Sequence, residues 1–123
     1  MNPIYLDDWY SDWSGKVFNQ EESKRKLMYD FELTDADMDG VEILLATYNY
    51  ENYEGYAFVF FRKGDKYYEV NGSHCSCYGL EGQWQPEETN LDELRRRMTK
   101  TKAFHYRNEL LTVLDGIDST AIG

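Results

Sequence analysis

The chain has 123 residues, of which 41% are apolar and 16% aromatic, a composition that predicts a single domain with a hydrophobic core. Its formal net charge is −10, from 23 acidic and 13 basic residues. Such a charge would repel the phosphate backbone of nucleic acid and an anionic membrane, so we expect neither as a direct partner.

No apolar run is as long as the roughly 18 residues that a membrane span needs. The acidic start MNPIYLDDWYSDW lacks the basic and apolar regions of a secretion signal. These features predict a cytoplasmic protein, whose two cysteines stay reduced.

The first predicted helix spans residues 19–32. Asn19 followed by Glu22 matches a capping box, and Leu27 and Phe31 recur at helical spacing after it. The next segment, LTDADMDG, contains acids and a glycine that should end the helix.

Three strands are predicted next, over residues 41–50, 55–63 and 66–72. They are rich in β-branched and aromatic residues, and Gly64-Asp65 suits a tight hairpin turn between the second and third. Alternate residues are apolar on both faces: Val41, Ile43 and Leu45 alternate with Leu44, Ala46 and Tyr48. The sheet should therefore be covered on both sides.

Two further helices are predicted over residues 90–99 and 107–115. Asn90 with Glu93 forms a second capping box, and Leu110, Leu111 and Leu114 precede Gly116. The prediction is an α+β fold in which a three-stranded antiparallel meander is covered by helices, with residues 1–123 as one domain.

The segment HCSC concentrates chemically versatile side chains. Thiolate and imidazole are ligands that zinc prefers, and a tetrahedral site needs four of them. The sequence offers one candidate set: His74, Cys75, Cys77 and His105. The C-x-C spacing is shorter than that of the usual zinc knuckle, so two small buried thiols beneath a glycine-bearing loop are the competing interpretation.

A thiol-dependent enzyme is a lesser alternative, because a cysteine beside a histidine can be held as thiolate. Nothing in SHCSCYG indicates the start of a helix that would activate a cysteine, and we predict no catalytic residue. No phosphate-binding glycine loop occurs either.

The segment DADMDG, residues 35–40, matches the opening of a calcium loop. The twelfth position of such a loop should be a bidentate glutamate, but here it is Ala46, inside a predicted strand. We therefore predict an acidic turn between a helix and a strand, with no calcium and no resident cofactor.

Charge is distributed unevenly along the chain. Residues 1–60 hold 13 acids and four bases, whereas the second half holds ten acids and nine bases. An acidic half of this kind can serve as a contact surface for a basic partner, although it can equally be a solvated face. The candidate contact residues are Asp35, Asp37, Asp39, Glu42, Glu51 and Glu54.

Residues 41–94 resemble a small uncharacterised family associated with tailed-bacteriophage genomes, in which a strand-turn-strand unit leads into the phrase GSHCSCYGLEGQW. The resemblance implies a small protein made in an infected bacterium, and it brings no activity or cofactor with it. The resulting hypothesis is an accessory protein that binds and inhibits a host or defence protein with a basic surface, imitating nucleic-acid charge. The alternative is a small zinc protein organised around HCSC.

Overall fold

A computed structural model describes residues 3–51, 54–74, 79–100 and 104–122 of the chain. The chain forms five strands and three helices within these ranges, in this order: β1 (Ile4–Asp7), α1 (Gln20–Phe31), β2 (Val41–Glu51), β3 (Glu54–Lys63), β4 (Lys66–His74), β5 (Glu87–Thr89), α2 (Leu91–Lys100) and α3 (Arg107–Ile122). The α+β class and the three predicted helices are confirmed, and α3 continues for about two turns beyond its predicted end.

The strands form one mixed sheet in the order β1-β2-β3-β4-β5. The predicted three-stranded antiparallel sheet was wrong in extent, because β1 joins one edge parallel to β2, and β5 joins the other edge antiparallel to β4. Both added strands are only four and three residues long. Segments this short carry too little alternation of apolar and polar residues to be recognised in sequence.

The structure confirms the predicted helix cap of α1 and the predicted hairpin turn. In the α1 capping box, Asn19 Oδ1 accepts from the Glu22 amide at 2.8 Å, and Glu22 Oε1 accepts from the Asn19 amide at 3.1 Å. Gly64 has a φ of 66° in the turn between β3 and β4, which confirms the predicted hairpin. One detail differs, because a bulge between Ile43 and Leu45 moves Leu45 to the opposite face from Ile43.

The sheet is covered on both faces, as its apolar strands predict. Helix α1 lies over one face, where Leu27 and Phe31 pack with Trp9, Tyr48 and Val59 in the first core cluster. Helices α2 and α3 cover the opposite face, where their apolar stripe packs in the second cluster: Leu94, Met98, Leu110, Val113 and Leu114. The end of the sheet where β1, β2 and β4 finish therefore lies between two helical layers.

No helix in the described ranges is long and apolar enough to cross a membrane.

Candidate functional site

The two histidines of the predicted zinc set lie against opposite faces of the sheet. His74 is the last residue of β4, and its ring meets that of Tyr48 edge-on, 6.2 Å away, beside the first core cluster. His105 instead contacts Thr47, whose side chain points to the other face because neighbouring strand residues alternate. Cys75 and Cys77 lie outside the described residues.

Within the described ranges, no group of three or more His, Cys, Asp and Glu side chains is placed to hold a metal ion. The four-residue zinc set therefore stays a prediction, and completing it would require residues from both faces of the sheet. The DADMDG segment forms the predicted turns between α1 and β2, with Met38 buried in the core and the Asp37 carboxylate accepting from the Thr34 amide at 2.8 Å.

His105 belongs to a polar cluster that joins three parts of the fold. Thr47 on β2 donates its hydroxyl to Asp7 Oδ2 at 2.5 Å. In the tautomer that carries a proton on Nε2, His105 donates to the same oxygen at 2.6 Å. Thr47 is almost fully buried, so this cluster fastens the α2–α3 loop to the end of β1 and to the second half of β2.

The order of this cluster differs from that of a hydrolase triad. In a triad the imidazole lies between the carboxylate and the hydroxyl, so that it can remove the hydroxyl proton. Here a single ring nitrogen, His105 Nε2, faces both the Asp7 carboxylate, at 2.6 Å, and the Thr47 hydroxyl, at 3.1 Å, and Thr47 donates its own proton to Asp7. The relay of a triad needs the carboxylate and the hydroxyl on different nitrogens of the ring, so this cluster orients the imidazole without the geometry of a triad.

A buried ion pair lies deeper on the same face. Arg97 of α2 approaches Glu69 of β4 with two nitrogen–oxygen distances, 2.8 and 3.3 Å, and the Asn71 amide donates to Glu69 at 2.9 Å. Burial by itself would raise the pKa of the Glu69 carboxyl, but the hydrogen bonds from Arg97 and Asn71 outweigh it and hold that pKa below its usual range. Burial also raises the pKa of the neighbouring Tyr106 phenol.

The candidate contact acids do not form one compact patch. Asp35, Asp37, Asp39 and Glu42 are exposed around the start of β2, whereas Glu51 ends the same strand. At about 3.3 Å per residue, the nine steps from Glu42 to Glu51 span about 30 Å. The side chains of Glu51 and Glu54 lie outside the described part of the chain.

Between β1 and α1 the chain forms a short hairpin, residues 10–18, that sequence analysis missed. Its arms are joined by hydrogen bonds from the Phe18 amide to the Tyr10 carbonyl, at 2.9 Å, and from the Asp12 amide to the Lys16 carbonyl, at 3.0 Å. At the tip, Asp12 Oδ1 accepts from the backbone amides of Ser14 and Lys16 and from the Ser14 hydroxyl. The carboxylate therefore holds the turn in one conformation.

Trp13 lies at the tip of this hairpin, with 99% of its surface exposed. Tyr10 and Val17 are also about half exposed. Two features of the sequence could have predicted the hairpin: Asp12 placed two residues before Ser14, and Gly15, whose φ is 89°. The exposure of Trp13 had no such signal, since tryptophan is usually well buried, as Trp9 is.

No protein-family model, curated protein or solved structure matches this chain.

Proposed function

We propose that this protein binds and inhibits a protein with a basic surface, in the cytoplasm of an infected bacterium. The observation that carries the proposal is the fully exposed Trp13 on a hairpin already held in shape by Asp12. Tryptophan is enriched among the residues that dominate binding energy, and a preformed turn loses little entropy on association. The hairpin is therefore the proposed anchor of the interface.

Charge supports a basic partner. Residues 3–42 contain eleven acids and four bases, and they build the hairpin, α1 and the acidic turn at Asp35, Asp37 and Asp39. Helix α1, with 12 residues, is about 18 Å long. The hairpin and the acidic turn thus fit within one interface of about 800 Å² per partner, the usual size for a specific complex.

In this proposal the two features have different roles. The exposed carboxylates attract the partner from a distance and compete for a groove that would otherwise hold nucleic-acid phosphates. Trp13 then fills an apolar pocket and slows dissociation.

The test uses capture of bacterial proteins on the immobilised full chain, followed by inhibition of the purified partner. Trp13→Ala should weaken binding roughly thirtyfold or more, which corresponds to a contribution of about 2 kcal/mol. Tyr56→Ala is the matched control, because Tyr56 is 64% exposed but lies on β3, on the face of the sheet opposite α1.

Charge is tested with a pair of double variants. Asp35→Asn with Asp39→Asn should slow association and reduce its dependence on salt, whereas Glu87→Gln with Glu88→Gln removes as many charges from β5 and should not. A captured protein that binds the Trp13 variant equally well, or whose binding ignores salt, or whose activity survives stoichiometric addition of the chain, would contradict the proposal.

A further inference from the structure

A cleft of about 590 Å³ opens between the sheet and the α2–α3 loop, at the end of the sheet where β2 finishes. Its floor consists of two cross-strand rows, each with an aromatic residue of β3 between a polar residue of β2 and one of β4: Thr47–Phe58–Asn71 and Asn49–Tyr56–Ser73. The rows are two residues apart on each strand, which is about 7 Å. The pattern therefore repeats one unit: an aromatic ring with a hydrogen-bonding side chain on either side.

The two aromatic rings of the floor differ in how far they are covered. Phe58 is covered by Tyr106 of the loop, with ring centroids 4.6 Å apart and planes 5° from parallel. Tyr106 in turn packs against Phe104, 5.4 Å away. Tyr56, in the neighbouring row, is 64% exposed. The protein thus stacks one of its own rings on Phe58 and leaves the equivalent position on Tyr56 open.

Polar groups beside Tyr56 have unused hydrogen-bonding capacity. Asn49 is half-buried, and its side chain makes no hydrogen bond within the described ranges. Asn71 donates its amide nitrogen to Glu69 at 2.9 Å, which leaves its carbonyl oxygen as an acceptor at the cleft. Since neighbouring strands are about 4.8 Å apart, Asn49 and Ser73 flank Tyr56 at the reach of a planar ring's edges.

The charges around the cleft restrict the chemical class of ligand that it can bind. No lysine or arginine is among its described lining residues, and the Asp7–His105 pair lies at one wall. Among these described residues a phosphate would therefore find no lysine or arginine to anchor it, and the net charge of −10 would repel it. A quaternary amine fits less well, because an aromatic cage needs several open ring faces, and Phe58 and Tyr106 cover each other.

We propose that this cleft binds an uncharged planar heterocycle, a nucleobase or nucleoside without phosphate, stacked on Tyr56 with its edges hydrogen-bonded by Asn49 and Ser73. The volume lies within the range of about 300–1,000 Å³ that small-molecule sites occupy. Stacking on an exposed aromatic residue of a sheet, with polar neighbours at the base edges, is a general way in which proteins hold single bases. The proposal is independent of the hairpin and of the inhibitory role.

The test is titration of the full chain, isotope-labelled for NMR, with adenosine, guanosine, cytidine and uridine separately. At least one nucleoside should bind saturably with a Kd below about 1 mM. Tyr56→Ala should weaken that binding roughly five- to hundredfold, the range measured for removal of a stacking ring. Tyr29→Ala should not change it, because Tyr29 is also largely exposed, at 79%, but lies on α1, across the sheet.

Two further probes complete the test. The 5′-monophosphate of the binding nucleoside should bind no more tightly than the nucleoside, and Asn49→Leu should weaken binding while the Tyr56 ring is retained. Absence of saturable binding by all four nucleosides overturns the proposal. So does binding that is unaffected by Tyr56→Ala or equally reduced by Tyr29→Ala, and so does a monophosphate that binds more tightly than its nucleoside.

Discussion

Replacing Arg97 by alanine tests how much stability the protein loses when the buried carboxylate of Glu69, beside the second core cluster, loses its main partner. Glu69 is only 5% exposed, and its charge is satisfied mainly by Arg97, at 2.8 and 3.3 Å, with further hydrogen bonds from the side chains of Asn71 and Thr89. Removal of one partner from a buried ion pair usually destabilises a protein by about 3–5 kcal/mol. Because 33% of the Arg97 side chain is exposed, water screens part of this effect, and we expect a loss of about 2–3 kcal/mol.

Urea unfolding at neutral pH measures this loss directly. With a slope of about 2 kcal/mol per molar, the midpoint should fall by about 1–1.5 M. Arg96→Ala is the matched control, since Arg96 lies next to Arg97 on α2 but pairs with Glu93 on the exposed side of the helix, at 2.6 Å. The control should unfold at nearly the same urea concentration as the unmodified protein.

The effect of Arg97→Ala should also depend on pH. In the unmodified protein the folded-state pKa of Glu69 is lowered, so the pair stabilises the fold above the unfolded-state pKa, about 4.3, and this contribution is lost as pH falls through the folded-state pKa. Without Arg97, burial raises the pKa of Glu69. In acid the variant then protonates Glu69, which removes the unpaired buried charge and restores part of the lost stability. The stability difference should therefore shrink as pH falls from 7 towards 4. A difference that is constant with pH, or no larger than that of Arg96→Ala, would refute this reasoning.

Three further substitutions test the α1 layer, each by urea unfolding. Asn19→Ala removes the side-chain acceptor of the capping box and should cost about 1 kcal/mol, whereas Asn19→Asp should retain most of the stability. Glu32→Gly should be neutral or stabilising, by up to about 1 kcal/mol, because Glu32 ends α1 with a φ of 58°, which glycine adopts without strain; destabilisation would contradict this. Trp9→Phe removes the bond from the buried indole nitrogen to Asp30, 2.8 Å long, and should cost about 2 kcal/mol; a change below that of Asn19→Ala would show that this bond contributes little.

The elements that the sequence predicted well are those with strong local signals. The starts of α1 and α2 follow from their asparagine caps, and the β3–β4 turn follows from Gly64. Each of these residues determines the backbone conformation within four positions of itself. The apolar strands likewise predicted a sheet covered on both faces.

Two of the features that sequence missed, β1 and the β2 bulge, depend on distant partners, unlike the local hairpin of residues 10–18. Strand β1 exists because residues 4–7 pair with β2, some forty positions further along the chain. The β2 bulge likewise depends on pairing with β3, and it changed the face on which Leu45 lies. Neither feature has a local pattern from which it could be predicted.

The candidate sites show the same division. His74 and His105 were singled out by residue type, but their placement on opposite faces follows from strand alternation and from the path of the α2–α3 loop. The acids were counted correctly, yet the length of β2 places Glu51 about 30 Å from Glu42 and the acidic turn before it.

The sequence by itself determined the α+β class, the starts of α1 and α2 and the acidic character of the first half, because composition, periodicity and capping are properties of neighbouring residues. Only the tertiary structure decided that Trp13 is exposed while Trp9 is buried, and that Asp7, Thr47 and His105 meet where β1 ends beside β2. The physical reason is that exposure and contact depend on which surfaces the folded chain brings together. Those surfaces come from residues separated by 40 to 98 positions, a relation that no local pattern encodes.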